Sequence, residues 1–277
     1  MRVFLAGCNS RWNIIMPLLG AECKKGKGDM QLFLAGTAPW RNEGIYDEAI
    51  RGCRPYILES FYYVDEDTER LLPCFGDFLL DSGAFTFMQG TKGVVNWEEY
   101  IERYADFIKR NGIAKFFELD IDSVVGYDKV KRFRATLEKL VGKQSIPVWH
   151  KSRGINEYRR LCDEYPYVAL GGIVSKEFKR SDYTLFPALI TEAHKRDSKV
   201  HGLGFTNLAL LPHCHFDSVD STAWTTGNRF GYVYRFNGKT IVKHDRPKGS
   251  KLADSKKVAV HNFKEWVKFQ KYAEVYL

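Results

Sequence analysis

Three aspartates at the ends of apolar runs carry most of the chemistry this sequence offers. Asp81 closes DFLLDS (Asp77–Ser82), Asp120 lies in KFFELDI (Lys115–Ile121), and Asp217 sits inside FDSV (Phe216–Val219), with Asp220 three residues on. A carboxylate in an apolar strand is costly unless it is exposed at a strand end or held by partners. The C-terminal ends of parallel strands are where an α/β barrel keeps its reacting groups. One such aspartate alone is commonly a helix cap, but three at corresponding points of separate strands call for a shared role. Converging carboxylates without cysteine ligands fit either a divalent-metal site or glycosyl chemistry. In the latter, one carboxylate attacks the sugar carbon and a second handles the leaving group's proton. Asp217 reads as the attacking group. Other strand ends carry His150-Lys151, Gly171-Gly172 and Gly202–Gly204, and glycines there let backbone approach a flat ligand closely.

The elements that must position these residues alternate between strand and helix. The stretch His201–Trp224 shows the pattern: a short strand over Val200–Gly204, a helical piece from Asn207 to Leu211, then the run Phe216–Val219. Further strands are expected at Arg2–Gly7, Gln31–Gly36, Asp77–Ser82, Lys115–Ile121, Ile146–Trp149 and Val168–Ile173, with Tyr56–Tyr63 open between strand and helix. Helices are expected at Asn42–Arg51, Tyr127–Val141, Asn156–Tyr165 and Tyr183–Lys195. One more runs from the N-cap Asn96 to Arg110, with Trp97, Tyr100, Ile101, Tyr104, Phe107 and Ile108 on one face. Alternating strands and helices call for a parallel sheet with right-handed crossovers, and eight candidate strands fit a (β/α)₈ TIM-type barrel over residues 1–224. Residues 225–277 read as an appendage. A β-hairpin turns at Asn237-Gly238, a basic link covers Lys248–Lys257, and a helix spans His261–Tyr276.

Lys and Arg number 42 against 34 Asp and Glu, a net charge of +8, and the excess is uneven. Between Arg229 and Lys271 twelve basic residues face three acids, Asp245, Asp254 and Glu265. Such a block suits a polyanion, with Lys239, Lys243, Arg246, Lys248 and Lys251 as candidate nucleic-acid contacts; a solvated basic tail is the plainer reading. The six cysteines are scattered without a CxxC pair, which speaks against a disulfide framework or a zinc site and for a reducing, cytoplasmic setting. The N-terminal apolar run is too short for a signal peptide or membrane span.

These residues resemble a known family. DSGAF at Asp81–Phe85 resembles the DSGGF of tRNA-guanine transglycosylases, and LDIDS at Leu119–Ser123 resembles that family's aspartate strand. ALGGI at Ala169–Ile173 is similar to its base-binding double glycine. HGLG at His201–Gly204 and FDSV at Phe216–Val219 are similar to its MGVG and FDCV elements. The resemblance spans about residues 77–224. It implies a barrel that exchanges a guanine base through a covalent glycosyl-enzyme, with Asp217 as nucleophile and Asp81 as general acid/base. The base pocket it implies uses Asp120, Ser82, Gly171, Gly172 and Gly202. His150 stands in VWHK, which replaces the family's IQQG strand, and whether it takes over the glutamine's base-reading role is left open. No cysteine follows Cys214, so the family's C-terminal zinc subdomain is not expected, and neither is a metal or cofactor. The short chain and basic hairpin, with RVFLAG and ILESFYY, look like the phage-type DNA-guanine transglycosylases. That branch implies DNA, single-stranded or with a flipped base, and a 7-deazaguanine such as preQ0 as partners. The setting would be cytoplasmic, the host's if the gene is viral, with no membrane and a homodimer left open. Phe85, Phe87, Trp149 and Phe205 are candidates to sandwich the flipped base.

Four rivals stay open. A base-excising DNA glycosylase would use the same two acids with water as acceptor, and a tRNA-guanine transglycosylase would differ only in its polymer. His213-x-His215-x-Asp217 has the alternation of metal ligands on one strand face, which fits a metal-dependent hydrolase, with ordinary loop histidines as the plainer reading. A catalytically idle nucleic-acid-binding barrel would not need both acids.

Overall fold

The computed structural model describes residues 28–37, 47–83, 86, 95–245 and 254–277; the expected strand Arg2–Gly7 lies outside them. Seven parallel strands form one curled sheet: β1 (Gln31–Ala35), β2 (Tyr56–Ser60), β3 (Asp77–Asp81), β4 (Val148–Trp149), β5 (Tyr167–Leu170), β6 (Lys199–Gly202) and β7 (Ser218–Ser221). Their order is β3-β2-β1-β7-β6-β5-β4, so the first and last strands meet in the middle and β3 and β4 are the edges. Residues 115–118 run between those edges. Leu80 N–H donates to Lys115 O (3.0 Å), Phe117 N–H to Leu80 O (3.0 Å), Ile146 N–H to Phe116 O (2.8 Å) and Glu118 N–H to Ile146 O (3.1 Å). The expected strand Lys115–Ile121 thus survives as two single bridges, Leu80 with Phe116 and Phe117 with Ile146. The fold is TIM-like α/β, with seven regular strands among the described residues instead of eight.

Side chains stand in where the ladder opens. The buried Tyr104 hydroxyl is 3.1 Å from both Leu80 O and Phe117 O, and Glu118 Oε1 accepts from Val148 N–H at 2.7 Å. Burial pushes Glu118 up to about 7, against the pull of Arg134 and Arg153. Between β1 and β2, the Gln270 amide donates to Leu32 O and Tyr56 O and accepts from Tyr56 N–H. These contacts satisfy backbone groups that would otherwise be buried unpaired.

The helices follow in chain order: α1 (Asp47–Cys53), α2 (Glu66–Leu71), α3 (Trp97–Arg110), α4 (Asp122–Val125), α5 (Tyr127–Val141), α6 (Ile155–Glu164), α7 (Phe186–His194), α8 (Leu211–Cys214), α9 (Thr226–Phe230) and α10 (Ser255–Tyr276). In α3 the apolar stripe read from the sequence is buried, and Asn96 caps it by accepting from Glu99 N–H at 3.3 Å. The helix-facing sides of the strands join one large core with α6, α7 and α10. A smaller cluster of Phe33, Leu58, Leu79, Phe117, Val148 and Ala169 fills the barrel interior. β8 (Tyr232–Phe236) and β9 (Ile241–Asp245) form the expected hairpin, which leans on α10 through Asn262 and Glu265. The helix begins at Ser255, not His261, because Asp254 caps it; Lys256 and Lys257 are therefore helical, not part of a link. No helix among the described residues is long and apolar enough to cross a membrane.

Tyr56–Tyr63, open between strand and helix from the sequence, divides into the strand Tyr56–Ser60 and a 3₁₀ turn at Phe61–Tyr63. The last barrel strand is Ser218–Ser221, two residues later than Phe216–Val219. That shift decides which aspartate reaches the mouth.

Candidate active site

Asp81 is the last residue of β3 and opens onto the C-terminal mouth of the barrel. Gly83 N–H donates to its Oδ2 at 2.9 Å. Gly83 has φ +82°, and a Cβ there would stand 2.9 Å from Tyr62 Cβ and 3.0 Å from Tyr100 Oη, so glycine is the residue that fits. Burial raises the Asp81 carboxyl to about 6. The Gly83 amide opposes that rise, and the charges of Asp220 and Asp120 add to it. No Lys or Arg among the described residues pairs with it. Ser82 is buried behind it; its carbonyl accepts from Tyr100 Oη at 2.6 Å while its Oγ has no partner.

Asp220, the third residue of β7, is the last strand's carboxylate at this mouth. Its Oδ1 accepts from Gly204 N–H at 2.6 Å and faces His201 Nε2 at 3.2 Å. Asp217 is elsewhere. It precedes β7; its N–H donates to Val200 O, and its Oδ2 accepts from Val200 N–H at 2.7 Å and pairs with His194 Nε2 at 2.8 Å. Val200 lies near the start of β6, so Asp217 belongs to the N-terminal end of the barrel. Three residues of strand, about 10 Å, separate it from the level of Asp220. The expectation that Asp217 faces Asp81 is corrected. Side chains alternate along a strand, so Asp217 shares the helix-facing side with Val219, whereas Asp220 shares the interior side with Ser218. The pair Asp-Ser occurs twice, at 217–218 and 220–221, and only the second copy reaches the site.

Asp120 reaches the same mouth in a tight ionic group. His150, just after β4, lies 2.9 Å from Asp120 through Nε2 and 2.9 Å from Glu177 through Nδ1. Burial disfavours the imidazolium, but the bonds to Asp120 and Glu177 outweigh it and hold His150 at about 10, doubly protonated. Burial likewise opposes the Glu177 carboxylate, yet His150 and Ser152 bring it down to about 2. Arg153 closes the group with Nη2 2.6 Å from Asp122 Oδ2 and 3.4 Å from Asp120 Oδ1, its guanidinium over the Tyr127 ring. Asp120, Asp122 and His150 stand close enough to hold a metal ion. Arg153 already pairs with both aspartates there, so the group as it stands is salt-bridged. Nothing in the sequence spacing of Glu177, Arg153 and His201 marks their side chains as members of this site.

The glycines serve this group. A Cβ on Gly171 would stand 2.6 Å from Val148 Cγ1 and 2.8 Å from His150 Nε2, and one on Gly172 (φ +81°) 2.7 Å from Glu177 Oε2. The double glycine therefore leaves room for His150 and Glu177. At Gly202 a Cβ would meet the Phe216 ring at 3.0 Å, so its smallness is explained by core packing. Trp149 and Phe205 are 0% and 1% exposed; as core residues they cannot sandwich a base, and Phe85 and Phe87 lie outside the described residues. Exposed apolar groups at the rim include instead Tyr62 and Val174, beside Gly83 and Gly204 respectively.

Of the basic candidates, Lys239 lies in the hairpin turn, its N–H donating to Asn237 Oδ1. Lys243 on β9 pairs with Asp245 at 2.7 Å and sits over the Tyr232 ring; Arg246, Lys248 and Lys251 lie outside the described residues. His213, His215 and Asp217 do not share a strand face: His213 is in α8, and His215 turns the chain with φ +58°.

No family model and no curated protein matches the chain. Among solved structures, a putative fructose-1,6-biphosphate aldolase from Coccidioides immitis is similar, at 10% identity and a TM-score of 0.52, covering 90% of this chain and 91% of its own. That likeness supports the TIM-like fold alone.

Proposed function

We propose that this protein is a glycosyl-transferring enzyme that exchanges guanine in DNA for a 7-deazaguanine base through an aspartyl-glycosyl intermediate. Asp220, not Asp217, is the nucleophile in this reading. The observation that carries it is the pairing, at one barrel mouth, of two carboxylates with opposite surroundings. Asp81 is pushed up to about 6 by burial and neighbouring acids, a value suited to giving and taking a proton near neutrality. Asp220 has one oxygen tied to Gly204 N–H and faced by His201, and its Oδ2 is left for attack. In the first half-reaction Asp220 Oδ2 bonds to C1′, the bond from C1′ to the base nitrogen breaks, and Asp81 gives its proton to the departing base. In the second, Asp81 takes a proton from the incoming base, whose nitrogen displaces Asp220 from C1′. Aligned on the second Asp-Ser pair, VDS at Val219–Ser221 takes the place of FDS in the resemblance to guanine transglycosylases. Tyr62 and Val174 at the rim offer apolar surface to a flat base, and the basic hairpin offers charge to the DNA backbone.

The test is incubation with single- and double-stranded DNA and labelled guanine or preQ0, comparing wild type with Asp220→Ala and Asp217→Ala. Label entering DNA and lost only in Asp220→Ala supports the reading. Free base released without incorporation, leaving abasic sites, replaces it with a glycosylase. Exchange on tRNA alone moves the substrate, and retained activity in Asp220→Ala sinks the assignment of the nucleophile.

A further inference from the structure

The barrel interior is apolar around one histidine. His201 is 0% exposed, its ring 5.2 Å from that of Phe117 and 6.3 Å from that of Phe33. It does not touch the mouth directly, yet both ring nitrogens are engaged. Nε2 faces Asp220 Oδ1 at 3.2 Å, and Nδ1 bonds to Ser218 Oγ, which in turn bonds to the Tyr167 hydroxyl. A buried polar group in such a setting is costly unless fully paired. One direction of donation satisfies all four members with Asp220 ionised. Tyr167 O–H donates to Ser218 Oγ, Ser218 O–H donates to His201 Nδ1, and His201 Nε2–H donates to Asp220. The alternative tautomer would turn a bare nitrogen toward the carboxylate.

We infer that His201 is a positioning residue for Asp220, its Nε2–H tautomer fixed by the chain Tyr167–Ser218 so that Oδ1 is held and Oδ2 alone is presented to substrate. The chemical consequence rests on Asp220 as the nucleophile of the proposed reaction; the tautomer and the orientation do not. Gly204 N–H supplies the second donor to the same oxygen. Across the mouth, the charges of Asp220 and Asp120 act on Asp81.

The experiment has two parts on the full-length protein. Nitrogen NMR of labelled histidine reads the tautomer of His201 without any substrate. The expected result near neutral pH is a protonated Nε2 and a bare Nδ1, with the preference lost in Ser218→Ala and weakened in Tyr167→Phe. The second part follows trapping of the DNA adduct. His201→Gln, whose amide can still donate, is expected to keep most of the rate. His201→Phe is expected to lose about 10- to 100-fold, the scale of one hydrogen bond to a charged group. Because His201→Phe also strips Ser218 and can misfold, the Ser218→Ala tautomer measurement carries the test if that variant is lost. A dominant Nδ1–H tautomer in the wild type, or full rate in a folded His201→Phe, overturns the inference. A fixed Nε2–H tautomer with no adduct in the wild type overturns the functional reading and leaves the positioning of Asp220 standing.

Discussion

The two ends of this barrel treat their acids differently. At the N-terminal end Asp77 pairs with Lys115 and accepts from Gln31, Asp217 pairs with His194, and Tyr56 bonds to Glu274. Most of these acids have a cation or donor that meets their charge. At the C-terminal mouth, Asp120 is neutralised by His150 and Arg153, whereas Asp81 faces two further acids and is pushed up by them after burial. Paired acids tie elements together. An acid without a cation in a buried site keeps its proton available, and that is what a general acid needs. The division follows the general rule for such barrels, where one face serves stability and the other chemistry.

The sharpest way to break the comparison is to remove one acid from each end. Asp220→Ala should lower base exchange by at least about 10³-fold, as loss of a nucleophile does, and Asp217→Ala should leave the rate within about 3-fold while lowering stability through the orphaned Val200 N–H. Rates measured under saturating DNA separate the two, and equal losses would erase the distinction between the ends. Asp81→Asn comes next, with a rate loss of about 10²- to 10⁴-fold. Its stability should move the other way. A carboxyl raised to about 6 from 3.8 contributes stability below its unfolded value and loses it as pH rises through 6. Above that pH the variant should be the more stable protein, by at most about 3 kcal/mol. Denaturant midpoints at pH 5 and pH 8 give the sign.

Much of this is legible in the sequence. The α3 stripe and its Asn96 cap, the hairpin at Asn237-Gly238 and the mouth positions of Asp81 and Asp120 follow from local chemistry, and local chemistry is written in adjacent residues. The site failed to be legible where register decides. Asp217 and Asp220 sit three apart in one run, and only the pairing of Ser218 with Gln31 and His201 fixes which side of the sheet each takes. His201, Glu177 and Arg153 meet Asp220, His150 and Asp120 across strands and loops, 19, 27 and 33 residues away in sequence, and no short-range pattern points to them. The irregular strand at 115–118 reads from sequence as an ordinary one because the substitutes for its missing ladder, Tyr104 and Glu118, act through tertiary contacts.

The mouth also contains paired charge, and this sharpens the comparison. His150 is raised from 6.5 to about 10 and Glu177 lowered from 4.5 to about 2. The histidine's contribution is fully present below pH 6.5 and disappears as pH rises through 10; the glutamate's is present above pH 4.5 and disappears as pH falls through 2. The stability difference between wild type and Glu177→Gln should therefore be largest between pH 4.5 and 6.5, shrinking on both sides. A difference that grows above pH 8 would show that His150 is not the charge Glu177 answers.

The smallest effect belongs to the other end. His194 is raised by its bond to Asp217, against burial and with the charge of Asp217 adding, so it stabilises most below 6.5 and loses that contribution as pH rises past its shifted value. Both side chains are about a third exposed, 37% and 26%, and water screens the pair. His194→Gln should thus cost no more than about 1 kcal/mol at pH 6, less at pH 9, and nothing in the rate of base exchange. Thermal midpoints at the two pH values measure the first part and the exchange assay the second. A rate that fell with His194 would place the chemistry at the end where the charges are already paired, and the assignment of Asp220 would have to be given up with it.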